Sequence, residues 1–117
     1  MTDPARTRIR VCIDCTDDAR LSEFWARALD YEQAEPGWFR KVFDPGGHGP
    51  VVWFQPVPET KVVKNRLHLD IWFADEPAAV AKRDELVSLG ATAVRRGHDF
   101  WLMHDPEGNE FCLCWPA

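Results

Sequence analysis

Side chains able to move a proton are grouped around one histidine. His68 and Asp70 alternate in the run RLHLDIWF, and Asp14 closes the comparable run RVCID near the start of the chain. A histidine beside a carboxylate can act as a general acid or base, with Asp14 or Asp70 setting its tautomer. A structural histidine bonded to either carboxylate is the alternative. We predict catalytic roles for His68, Asp70 and Asp14, with the structural alternative left open.

A second group of side chains could hold a ligand. The guanidinium of Arg10 matches a carboxylate group, although it could instead pair with a neighbouring acid of the chain, namely Asp14, Asp70 or Glu110. Glu110 could equally end a strand in water. Tryptophans could form an aromatic wall for a flat ligand or belong to the core. The predicted ligand-binding residues are Arg10, Trp53, Gln55, Trp72, Glu110 and Cys112.

Four cysteines could bind a metal or simply pack. Cys12 and Cys15 have the C-x-x-C spacing of redox and zinc sites, but they lie in a strand-like run that turns them to opposite faces. Zinc could accept ligands from Cys12, Cys112, Cys114 and His68. Ordinary packing is the more frequent role of a cysteine in a reducing compartment, so we favour packing.

A duplication must position these residues. The tetrapeptide Asp-Pro-x-Gly occurs at 44–47 and again at 105–108, and the runs VCID and LHLD occur in the same order upstream of each copy. The sequence therefore predicts an α+β fold: two tandem βαβββ modules whose mixed sheets curl into a cup-shaped half-barrel. One domain spans residues 1–117, with module 1 at about 8–57, a linker at 58–65 and module 2 at about 66–117.

Apolar spacing gives the elements of each module. Alternation or apolar runs predict strands at 9–15, 38–44, 50–57, 66–73, 92–96, 99–104 and 110–115. Apolar residues at helical spacing predict a helix over 17–29, and a second helix should run from about Pro77 to just before Gly90. Arg83 interrupts the apolar stripe of this second helix. The strands place one apolar face towards the helices and one polar face, with Arg10, Asp14, His68, Asp70 and Glu110, towards the cup.

Composition excludes several classes of function. The chain of 117 residues is 45% hydrophobic with six tryptophans, which indicates a real core. Its net charge is −5 and its basic residues are scattered, so we expect no nucleic-acid partner. The chain has no apolar run near the ~18 residues of a membrane span, and MTDPARTRIR lacks the apolar region of a signal peptide. We therefore expect no membrane association and a cytoplasmic location.

Three segments carry a family resemblance. The runs TDDARLSEFWARALDY, KNRLHLD and DPEGNEFCLCW resemble the glyoxalase-like branch of the vicinal oxygen chelate superfamily, which includes glyoxalase I, bleomycin-resistance proteins and extradiol dioxygenases. The resemblance covers nearly the whole chain and keeps the order of the three segments. It implies paired βαβββ modules around a central cavity, usually in a homodimer.

The resemblance also implies positions for a metal, at Arg10, about Trp53, His68 and Cys112. Arg10 has no lone pair to give and Trp53 cannot coordinate, so only His68 keeps a usual ligand type. We therefore expect no cofactor; a divalent metal, if bound, would be held by His68 and Cys112.

Three functions follow as expectations. The first is a bleomycin-resistance-like protein that binds a small, anionic or aromatic molecule in the cavity without the usual metal. The second is a glyoxalase-type lyase or isomerase that uses His68 with Asp14 or Asp70, with a metal as a variant; a dioxygenase fits less well. The third is a non-catalytic regulatory or structural dimer.

Overall fold

The computed structural model describes residues 8–35 and 37–117, and these residues form two βαβββ modules. Module 1 contains β1 (Arg10–Cys15), α1 (Asp18–Leu29), β2 (Glu32–Gln33), β3 (Arg40–Phe43) and β4 (Val51–Pro56). Module 2 contains β5 (Leu69–Trp72), α2 (Glu76–Ser88), β6 (Thr92–Arg96), β7 (Phe100–His104) and β8 (Glu110–Cys114). The prediction that the segment MTDPARTRIR is not a signal peptide falls mostly on residues 1–7, which lie outside the described residues.

Each module folds into one mixed four-stranded sheet. The strand orders are β1-β4-β3-β2 and β5-β8-β7-β6, so the two sheets have the same topology. The first and last strands of a module pair in parallel, and the other pairs are antiparallel. The predicted α+β class and tandem modules are confirmed, and the sheets do not close into a barrel. The sequence missed only β2, which has two residues and therefore no alternation to read.

Capping residues explain where the helices begin. The Asp17 side chain accepts a hydrogen bond from the backbone N–H of Arg20, and the Asp75 side chain accepts one from Ala78. The second helix forms despite Arg83, because that guanidinium lies over the Trp101 ring at 4.7 Å and thereby joins the packing. In the described residues, neither helix is long and apolar enough to cross a membrane.

The two Asp-Pro-x-Gly segments form the same turn with different surroundings. In each, the N–H of the fourth residue, Gly47 or Gly108, donates to the aspartate carbonyl at 2.9 Å, and both glycines have positive φ angles. The first aspartate, Asp44, caps only backbone groups of its own loop. The second, Asp105, is buried at 3% exposure and also accepts a bond from module 1.

The modules share one core. Apolar residues of both sheets and both helices form a single cluster, in which the Phe24 and Trp25 rings of α1 contact Phe111 of β8 at 6.0 and 5.0 Å. At the edge of this core, Trp25 Nε1 donates to Asp105 Oδ2 at 3.0 Å. Neither half could bury these side chains alone, so the modules fold as one unit.

A second contact joins the modules at the start of α1. Glu107 accepts hydrogen bonds from the backbone N–H of Thr16 at 2.7 Å and of Asp17 at 2.9 Å. Its negative charge therefore lies at the positive end of α1, where it is stabilised.

Candidate functional site

A groove lies between β1 and the segment that links the modules. Its volume is about 860 Å³, and much of its lining is apolar. Apolar groups come from β1 and α1 on one side and from the start of β5 on the other: Val11, Ile13, Trp25, Leu67 and Leu69. Polar groups along the groove include Asp14, Lys61, His68 and Glu110. Three of the residues that the sequence placed in the cup, Asp14, His68 and Glu110, therefore share this groove.

His68 has the carboxylate partner that the sequence allowed. Its Nε2 lies 3.1 Å from Asp70 Oδ1, and both side chains are close to half exposed. Asp14 lies elsewhere along the groove, where its Oδ1 is 3.9 Å from the Cys12 thiol. Of the two predicted partners, Asp70 therefore orients the imidazole, whereas Asp14 contacts module 1 alone in the described hydrogen bonds.

Asp70, Cys112 and His68 form a small cluster on the polar face of module 2. Asp70 and Cys112 are register partners in β5 and β8, and one ligand atom from each of the three residues lies within 4.8 Å of the others. The thiol is buried at 8% exposure, and burial together with the charge of Asp70 raises its pKa. The metal ligands considered from the sequence were His68 and cysteines, among them Cys112, so Asp70 is an additional donor.

Glu110 is neither solvated nor paired with Arg10. It is 9% exposed, and its two oxygens accept bonds from Lys61 Nζ at 3.0 Å and from the backbone N–H of Asn65 at 3.1 Å. Burial disfavours the charged form, but these donors outweigh it and lower the pKa of Glu110 to about 2. The alternative of a strand-end carboxylate in water is therefore wrong.

The ion pair expected for Arg10 also does not form. Among the described residues, Glu110 is paired with Lys61 and Asp70 with His68, and no salt bridge joins Arg10 to any acid. Arg10 is exposed on β1 opposite Val51, and Trp53 lies two residues further along β4 on the same face of sheet 1. Its guanidinium is therefore available to solvent or to a ligand.

The other predicted ligand-binding residues lie on the polar faces of the sheets and do not line the groove. Trp53 packs its ring 4.9 Å from Phe39, and Gln55 Oε1 lies 3.7 Å from the Cys12 thiol. Trp72 is 63% exposed at the end of β5. Arg10, Trp53 and Gln55 therefore belong to module 1, whereas the cluster of His68, Asp70 and Cys112 belongs to module 2.

The thiols differ in access. All four cysteines are free; Cys12 is exposed, and the other three are buried. The opposite orientation of Cys12 and Cys15 is confirmed, which excludes a disulfide within C-x-x-C. Burial, followed by nearby carboxylates, raises the pKa of Cys15 to about 12 and that of Cys114 to about 11. These buried thiols are poor nucleophiles near neutral pH.

The sequence predicted no partner for Lys61 of the linker. Its side chain is 20% exposed and bonded to Glu110, and Lys61, Lys64 and Arg66 all line the groove. Asn65 contributes through its backbone N–H, which any residue but proline possesses. The hydrogen bond between the Asn65 N–H and Glu110 therefore could not be predicted from the pattern of side chains.

Comparisons with known proteins agree with the fold. Residues 10–114 match the family described as a glyoxalase-like domain. A glyoxalase/bleomycin resistance protein/dioxygenase family enzyme from Burkholderia phytofirmans PsJN superposes with a TM-score of 0.75 at 18% identity, covering 92% of this chain and 97% of its own. The fosfomycin resistance protein FosX from Mesorhizobium loti gives a TM-score of 0.73 at 13% identity, covering 95% of this chain and 92% of its own.

A glyoxalase/bleomycin resistance protein from Albidiferax ferrireducens T118 gives a TM-score of 0.69 at 15% identity, with coverage of 92% of this chain and 97% of its own. No curated protein matches the sequence. These identities show a shared fold and nothing about substrates. The family match spans almost the whole sequence, so the chain belongs to the glyoxalase-like domain family of the vicinal oxygen chelate superfamily.

Proposed function

We propose that this protein binds a small organic molecule in the groove between β1 and the linker, without the usual metal of the superfamily. The observation that carries the proposal is the groove itself. Its volume of about 860 Å³ lies within the ~300–1,000 Å³ of small-molecule sites, and an apolar lining with a few polar groups is the usual composition of such sites.

The lining suggests how a ligand is held. Val11, Ile13 and Trp25 offer apolar contact for the body of the molecule, which favours a flat or aliphatic group. His68, oriented by Asp70, supplies a polar group at the side of the groove that can bond an oxygen of the ligand. A small aromatic molecule that carries an oxygen acceptor matches these features, in line with the small, anionic or aromatic ligand expected from the sequence.

The binding proposal is tested with a panel of small aromatic and aliphatic carboxylic acids and their neutral amides. Thermal shift should reveal a stabilising ligand, and calorimetry should then give its affinity. Leu67→Trp, at an exposed position that lines the groove, should weaken binding. Val94→Trp, exposed on β6 and outside the groove, is the matched control. Equal affinity in both variants would show that the ligand binds outside the groove. If no compound of the panel binds, the proposal that the groove takes a ligand of this class is wrong.

We further propose that the protein is a cytoplasmic homodimer. Large apolar side chains beside two edge strands, Ile9 before β1 and Trp72 at the end of β5, are 71% and 63% exposed. In the described part of the chain no strand pairs with the outer edge of β1 or β5, and exposed apolar groups beside such edges favour association with a second copy. The four free thiols suit a reducing compartment. Light scattering of Ile9→Asp and Trp72→Asp should show monomers, whereas Val94→Asp should remain dimeric.

A metal-assisted lyase or isomerase is the second candidate, favoured by the cluster of His68, Asp70 and Cys112. A mixed nitrogen, oxygen and sulfur set suits Zn²⁺ or Co²⁺ better than Mg²⁺, which prefers oxygen ligands. Such an ion, when bound, would polarise an oxygen of the substrate. Arg10 and Trp53 cannot complete the set that the superfamily implies.

Cobalt titration separates the two candidates. Bound Co²⁺ should produce a thiolate charge-transfer band in the wild type that Cys112→Ser and His68→Ala abolish. Cys114→Ser is the matched control, since Cys114 is also buried and lies two residues further along β8. A band that reaches one Co²⁺ per chain and is lost in Cys112→Ser but kept in Cys114→Ser would favour the metal-assisted lyase or isomerase. If the wild type shows no such band, metal-free binding is favoured.

A further inference from the structure

The segment of residues 57–68, called the strap below, forms one wall of the groove. Most of its residues line the groove, from Glu59 to His68. One end is fixed where the N–H of Val57 donates to the carbonyl of Cys15 at 2.8 Å, and the other end runs into β5. The strap has no helix or strand of its own. Its position therefore decides how open the groove is.

One carboxylate holds the middle of the strap. Glu110 Oε1 accepts from Lys61 Nζ, and Glu110 Oε2 accepts from the backbone N–H of Asn65. The two donors are four residues apart on the strap, whereas Glu110 begins β8 and is fixed in sheet 2. Hydrogen bonds to a buried charged group are among the stronger ones in proteins.

Little else holds the strap against the modules. For the part of the chain described, the bonds to Glu110 are the only hydrogen bonds between residues 58–67 and the helices and strands. The third bond of the strap, from Lys64 Nζ to the carbonyl of Asn65, is internal. Val62, Val63 and Leu67 are 88%, 77% and 87% exposed, so their side chains add little packing. Removing the Glu110 contacts should therefore release the strap locally.

We propose that the strap is a gate on the groove and that Glu110 is its latch. With both Glu110 contacts made, the strap closes one side of the groove; with them broken, it swings away while both modules keep their shared core. Glu110 is thus a positioning residue that acts through the strap. The inference rests on the proposed function, because a gate has a purpose only if the groove takes a ligand.

The release of the strap can be measured without a ligand. The Asn65 amide reports it through hydrogen exchange, and trypsin reports it through cleavage after Lys64 and Arg66 within the strap. Glu110→Gln should raise both rates about tenfold or more, the factor expected when a charged acceptor is lost. Glu59→Gln, which removes a carboxylate from an exposed position of the same groove wall, should leave both rates within about twofold of wild type.

Either of two results would contradict the proposal that the strap is a gate held by Glu110. Strap exchange in Glu110→Gln that stays within about twofold of wild type would show that Glu110 is not the latch. An equal rise in Glu59→Gln would show that charge alone matters. If Glu110→Gln does not fold, Lys61→Met carries the test, and it must raise exchange along the strap while the core amides stay protected. Failure of the proposed function has a different signature, namely a strap that responds as expected in a protein that binds no ligand.

Discussion

The two copies of the Asp-Pro-x-Gly turn should respond differently to the same substitution. Asp105 accepts four N–H donors: the backbone of Glu107 and Asn109 on Oδ1, and the side chains of Trp25 and Asn109 on Oδ2. In Asp105→Asn, an NH₂ group must face at least one pair of these donors. Loss of two bonds to a buried charged acceptor should cost about 3 kcal/mol or more, a large part of the ~5–15 kcal/mol stability of a domain.

Asp44→Asn is the matched control. Asp44 accepts only backbone bonds from Gly46, His48 and Gly49 in its own loop, and it contacts no side chain of module 2 among the described hydrogen bonds. Asp44→Asn should therefore lower the free energy of unfolding by less than Asp105→Asn does. Urea unfolding followed by tryptophan fluorescence gives both values, provided that the m-value is unchanged.

Comparable losses in the two variants would refute the reasoning, because they would show that only the local turn matters. Trp25→Phe adds an independent check, since it removes the donor from module 1 while keeping an aromatic ring. Its effect and that of Asp105→Asn should be less than additive in the double variant, because both remove the same bond.

Three further outcomes are expected. The free energy of unfolding of the wild type should exceed that of Glu110→Gln by its largest amount above pH 4.5, and this difference should shrink as the pH falls towards 2. The reason is that the pKa of Glu110 is lowered to about 2 in the folded protein. Urea unfolding at several pH values measures the difference. One thiol per native chain should react quickly with Ellman's reagent, and Cys12→Ser should abolish this fast phase, since the other three are buried. Arg83→Ala should lower stability by about 1 kcal/mol through loss of the stacking on Trp101, whereas a cost near zero would make that contact incidental.

The sequence predicted the repeated fold well because the duplication is written in local patterns. Both Asp-Pro-x-Gly turns, both helices and seven of the eight strands follow from spacing within short windows. The helix containing Arg83 shows the limit of such patterns. A charged residue on an apolar stripe looked like an interruption, but a guanidinium over Trp101 packs as a flat group does.

The candidate site was predicted only in part. His68 beside Asp70 could be expected, since residues two apart in the predicted strand 66–73 share a face; in the structure His68 lies just before β5 and still contacts Asp70. The partner of Glu110 could not, because Lys61 lies 49 residues away along the chain and in a segment without regular structure. The path of such a segment depends on the tertiary fold, which short-range patterns do not encode.

The bond between Trp25 and Asp105 spans 80 residues, and it has a consequence for synthesis of the protein. The helix that carries Trp25 emerges from the ribosome well before its partner Phe111, which lies in β8, the last strand of module 2. The N-terminal half must therefore wait, with its aromatic side chains uncovered, until the final strand has been translated. A premature stop codon before that strand would leave both halves unfolded, including the half that had been made completely.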